Sequence, residues 1–120
     1  MEKIVPLKSK ESKFFRQYVE ILNPIILRMR SKELDVLSEL LSHNNKLKHI
    51  DLKNRWKLIL DYDNKKEIAE KLKISIESFG NILTALRKKG VIIDNQVISY
   101  LLVYPDSDFN LTFKFSIEND

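Results

Sequence analysis

Few side chains in this sequence are placed to do covalent chemistry. His43 and His49 are the only histidines, and neither has metal-ligand spacing or an HExxH-type partner. Asp61 and Asp63, two residues apart near a helix start, suit capping and solvation better than acid–base work. Cysteine is absent, which removes disulfides, thiolate nucleophiles and thiolate zinc sites. There is no glycine-rich phosphate loop and no GxSxG, and Trp56 reads as a core anchor rather than a stacking platform. Neither catalysis nor a metal or other cofactor is expected. What remains is hydrogen bonding and charge, concentrated in "SIESFGNILTALRKKG", residues 75–90. At about 100° per residue, Phe79, Ile82, Leu83 and Leu86 form one apolar side of a helix. The opposite side presents Glu77, Asn81, Thr84 and Lys88, with Gly80 and Arg87 at its flank. Gly80 costs about 1 kcal/mol relative to alanine inside a helix. Tight packing there, or close approach of a ligand, would account for it.

That face needs a frame. Asn64 with Glu67 three residues on makes a capping box for a helix Lys65–Leu72, which buries Ile68, Ala69 and Leu72. Lys73 and Ile74 form a tight turn, and Ser75 caps a second helix that runs to about Lys89. Gly90 stands where a left-handed residue closes that helix, after the basic last turn Arg87, Lys88, Lys89. Beyond it, "VII" and "VISYLLVY" flank Asp94-Asn95-Gln96 as a β-hairpin, "PDSD" makes a further turn, and "FNLTFKFSI" is a third strand. In that strand Leu111, Phe113, Phe115 and Ile117 alternate with Thr112, Lys114 and Ser116, which predicts one buried and one solvated face.

Upstream, Phe14, Phe15, Tyr18, Ile21 and Leu22 share a helix face, and Pro24 ends or kinks that helix near Asn23. A helix so apolar needs a partner, either the domain core or a second copy of the chain. Core is the preferred reading and a homodimer the alternative. Ser31 caps the next helix, whose stripe is Leu34, Leu37, Leu40 and Leu41, with Val36 widening it and His43-Asn44-Asn45 ending it. Residues 51–62 read as a helix capped by Asp51 that buries Leu52, Trp56, Ile59 and Leu60, with "WKLIL" open to a strand reading.

The chain is 120 residues long, 43% hydrophobic and 32% charged, with only two glycines and three prolines. That profile predicts one globular unit with short turns. Its order predicts an α+β fold, with an N-terminal helical extension over 1–30 and the main domain with C-terminal hairpins over 31–120. No apolar run approaches the ~18 residues that span a membrane, and the N-terminus lacks a signal-peptide core. A cytoplasmic protein is expected, or a virion component made in a cytoplasm. Abundant Lys, Asn and Ile fit AT-rich coding, as in a phage or low-GC bacterium. The formal net charge is +4 and uneven, since Lys114 is the only cation after residue 90. A basic and an acidic surface follow.

Helix, short turn, helix, glycine and hairpin is the order of a winged helix-turn-helix. "SKELDVLSELL" resembles the helix preceding the helix-turn-helix of MarR-like repressors. "KKEIAEKLKISIESFGNILTALRKKGVI" is similar to their helix pair and to that of phage and plasmid replication regulators. The resemblance covers roughly residues 31–103. It implies double-stranded DNA as partner, with the second helix in the major groove and the hairpin touching phosphate or the minor groove. Asn81 can then pair with adenine, Thr84 can meet a thymine methyl, and Arg87 and Lys88 can take phosphate or guanine. Lys65, Lys66 and Lys73 flank the helix that crosses the backbone. Sequence-dependent DNA binding by a transcriptional or replication regulator is the function implied. Residues 91–103 contain no Lys or Arg and an acidic tip at Asp94, which favours the alternative of a protein-interaction or virion-assembly role.

Overall fold

The computed structural model describes residues 3–106 and 108–119. Helix α1 (Phe14–Leu22) continues through a wider π-type turn, Asn23–Leu27, that closes at Arg28 with left-handed backbone (φ 51°). Pro24 thus ends the α-helix where expected, and the Arg28 N–H donates to the Asn23 carbonyl at 2.8 Å. Then come α2 (Ser31–Lys46), α3 (Leu52–Ile59), α4 (Tyr62–Leu72) and α5 (Ile76–Lys88). A two-stranded antiparallel sheet follows, β1 (Ile92–Ile93) and β2 (Gln96–Val97), with Ile92 opposite Val97 and Ile93 opposite Gln96. The architecture is α+β, with five α-helices and this small sheet among the described residues.

Helix α2 lies at the centre, packed against α1, α3, α4 and α5. Its expected stripe is buried: Leu34, Leu37, Leu40 and Leu41, with Val36 added. Tyr18, Val19 and Leu22 of α1 join the same cluster, while Phe14, Phe15 and Ile21 of its expected face are half-buried. Phe79, Leu83 and Leu86 of α5 complete it, each side chain adding about 1.5–3 kcal/mol by leaving water. Ile82 is only half-buried. Among the described residues no helix is long and apolar enough to cross a membrane.

Local chemistry sets the joints. The Ser75 hydroxyl accepts from the Ser78 N–H at 3.0 Å and starts α5. The helix ends in a Schellman motif: Gly90 is left-handed (φ 74°), its N–H reaches the Arg87 carbonyl, and the Val91 N–H reaches Leu86. Lys73 is also left-handed (φ 58°) and closes α4 through the same bond pattern. Asp94 and Asn95 (φ 54° and 59°) supply the paired left-handed residues that a two-residue hairpin turn needs.

Several expected boundaries are corrected. The residue preceding α2 is Arg30, not Ser31: the Ser31 hydroxyl accepts from Arg16 Nη2, while the Glu33 carboxylate accepts the Arg30 N–H. The helix runs past His43-Asn44-Asn45 to Lys46. Helix α4 begins after Asp61, whose carboxylate accepts the Asp63 N–H, and Asn64 instead donates its side chain to the Ile59 carbonyl. Leu52, Leu60 and Leu72 are half-buried, not core. "VISYLLVY" is not a strand beyond Val97: Ser99–Leu101 form a 3₁₀ turn. The third strand and its buried face also fail, because residues 109–117 are exposed and have no sheet partner among the described residues. Phe109 packs edge-on against Phe14 and Tyr18 at 5.7 and 6.2 Å. Farther out, Phe115 is 88% exposed and Ile117 is 94% exposed.

Candidate nucleic-acid interface

The exposed side of α5 lies between two concave surfaces. One, a groove of about 440 Å³, is walled by α3 (Lys53, Trp56, Lys57), Lys65 of α4, Arg87 of α5 and the hairpin turn. The other, about 540 Å³, lies between α5 and the start of α2, with Asn81 facing Arg30 and Lys32 across it. Both flanks of α5 therefore carry cations, with the exposed residues Thr84 and Lys88 on the ridge between them.

The seven residues singled out from sequence divide accordingly. Lys65 and Arg87 are brought together in the first groove. Asn81 faces the second. Thr84 is exposed, and its hydroxyl donates to the Gly80 carbonyl at 3.1 Å, leaving its oxygen lone pairs and methyl outward. Lys88 is the exposed last residue of α5. Lys66 and Lys73 are exposed on and just after α4 but line neither concavity. A Cβ added at Gly80 would meet nothing within 4 Å, which excludes tight packing within the chain as the reason for this glycine.

Helix α3 supplies what the sequence reading did not assign. Lys53 and Lys57, four residues apart, stand on the groove side. Trp56 is 2% exposed, so the core-anchor reading of that residue holds. Arg55 points inward from the same helix and is 7% exposed. Its guanidinium donates to Asn44 Oδ1 (2.9 Å), the Tyr104 hydroxyl (2.9 Å), the Lys48 carbonyl (3.0 Å) and the Ile50 carbonyl (2.8 Å). A buried cation is thereby held by neutral oxygens, and the 47–51 loop and the segment after β2 are pinned to α3. The start of α3 is fixed by Asp51, whose carboxylate accepts from the Asn54 N–H and side chain. The Asn54 side chain, then its backbone, hold that carboxyl below the ordinary carboxylate range. Spacing of Lys53 and Lys57 would have flagged the pair once 51–59 was taken as helical. Nothing local marks Arg55, because its partners converge only in the folded chain.

At the other end, Glu33 receives the Arg30 N–H (2.9 Å) and the Lys89 ammonium (3.0 Å). Burial pushes its carboxyl up in pKa, but those two hydrogen bonds and the nearby cations outweigh burial, and the net direction is down. Lys89 also donates to the Arg28 carbonyl at 3.2 Å, so the end of α5 is tied to the start of α2. The two helices that form the second concavity are thus locked together.

Comparison of the chain with protein-family models, with curated proteins and with solved structures finds no match in any of the three.

Proposed function

We propose that this protein is a winged helix-turn-helix module that binds double-stranded DNA in a sequence-dependent way, as a transcriptional or replication regulator. The observation carrying this is the exposed α5 ridge with cation-bearing concavities on both flanks. A helix laid in the major groove has a phosphate backbone on either side, and a cation-bearing concavity on each flank of α5 supports that reading. Asn81 and Thr84 are the base readers, Arg87 and Lys88 the guanine or phosphate contacts, and Lys65, Lys66 and Lys73 the backbone contacts. Open space at Gly80 lets the helix backbone come close to the duplex.

Fluorescence anisotropy on random duplex DNA across a salt series tests the reading. A log–log slope worth several released counterions is expected. On a selected site, Asn81→Ala with Thr84→Ala should flatten discrimination between bases by about 1–3 kcal/mol while random-sequence binding persists. Absence of binding at low salt would sink the proposal.

One observation favours a second reading, a protein-interaction role. The hairpin carries no basic side chain and exposes Ile93 at its tip (54%). In that case a protein, rather than phosphate, covers the hairpin.

A further inference from the structure

Of the chain's cations, several that meet α2 are paired with carboxylates. Arg16 pairs with Glu20 and Asp35, Lys71 with Glu39, and Lys89 with Glu33. The groove between α3 and the hairpin is different. Lys53, Lys57, Lys65 and Arg87 come from three helices to one concave surface, and among the described residues none makes an ion pair or a hydrogen bond to a carboxylate. Among the described residues Asp94 is the only carboxylate lining it. Lys53 and Lys57, at i and i+4 of α3, repel one another at a cost of a few tenths of a kcal/mol. Such a cluster stabilises nothing in the chain and attracts an extended anion.

We infer that this groove seats the phosphodiester backbone of one DNA strand. On this inference Lys53 and Lys57 of α3 supply the cationic contacts that the hairpin lacks. The inference rests on the DNA-binding reading above. The groove is open and shares Arg87 and Leu83 with α5, so a strand following α5 out of the major groove passes over it. Lys65, half-buried at its floor, and the α3 lysines would grip that strand while the α5 ridge reads bases.

The test uses the full chain and random duplex DNA, comparing wild type with Lys53→Gln/Lys57→Gln. A control, Lys48→Gln/Lys71→Gln, removes the same formal charge from lysines already paired with Asp106 and Glu39. The groove variant should keep its thermal unfolding transition, since both side chains are exposed. Its salt slope should be shallower by about 1.8, two phosphates at ~0.9 each, with affinity down roughly tenfold. The control should keep the wild-type slope. Wild-type DNA binding with an unchanged slope in the groove variant would overturn the inference and leave the DNA reading intact. Equal losses in both variants would reduce the effect to net charge and overturn it too. No duplex binding by the wild type would remove both.

Discussion

On the α2 side of the molecule Lys89 pairs with Glu33 and Arg16 with Asp35, at 3.0 and 2.8 Å. On the α3–α5 side the cations face solvent across a groove with a single acid at its rim. Helix α3 repeats the contrast within eight residues: Arg55 turns inward onto neutral oxygens, while Lys53 and Lys57 line the groove with no ion-pair partner among the described residues. One set of charges is spent on holding the fold; the other is available for an external anion. Charge totals do not separate these uses, and only the partner of each cation does.

Breaking the inward half of the contrast should have the largest effect. Arg55→Met leaves the Asn44 side chain and the Lys48 and Ile50 carbonyls without their donor. The loss should be about 2–4 kcal/mol in urea unfolding. A loss under about 0.5 kcal/mol would mean that Arg55 is not the pin that the geometry implies. On the outward half, Lys65→Glu with Lys66→Glu should weaken binding to every duplex by tenfold or more, about 1.4 kcal/mol, with unfolding nearly unchanged. Arg16→Gln should do the reverse, costing up to about 1 kcal/mol of stability and leaving DNA affinity as it was. If both variants shift the same observable, the two-region contrast collapses.

Gly80→Ala sharpens it further. The site has room for the methyl group, so α5 should gain about 1 kcal/mol in stability. Duplex affinity should fall, because that methyl stands where the backbone would approach DNA. Stabilisation together with unaltered affinity would remove Gly80 from the interface.

The smallest effect belongs to His43, on the α2 side. Burial, then Lys46 and Lys71, lower its pKa below 6.5 against the opposing pull of Glu39 and Glu67. Between that lowered value and 6.5 the unfolded chain takes a proton that the fold refuses. The contribution of His43 is therefore complete above 6.5 and is lost as pH falls through that window. His43→Gln should remove this part of the stability–pH slope, and an identical slope in the variant would exclude the histidine as its source.

Elements whose signals are local could be read from sequence. Ser75, Asp51 and Gly90 each act on backbone within a few residues and sit as expected, and the hairpin turn falls at Asp94-Asn95, with Gln96 of the expected turn already in β2. Where two capping residues compete, tertiary demand decides. Ser31 is taken by Arg16 and Asn64 by Ile59, so α2 and α4 start elsewhere. The alternation at 109–117 predicts a strand, but a strand also needs a neighbour. Among the described residues the sheet holds only β1 and β2, so the apolar face of this segment stays exposed. In the candidate site, the ridge of α5 follows from helical periodicity. The groove needs α3 and the hairpin brought together, and only the folded chain does that.

The unpaired segment 109–117 has a consequence for the behaviour of many copies together. "LTFKFSI" combines β-branched and aromatic residues with alternation and has no proline. Its apolar side chains are exposed at Phe113, Phe115 and Ile117. That is the composition from which cross-β stacking and steric zippers form. Lys114 is its one charge, a gatekeeper whose repulsion between stacked copies opposes in-register assembly. Lys114→Gln should therefore raise the tendency of concentrated samples to form thioflavin-positive aggregates, and equal aggregation of the two proteins would remove Lys114 from that role.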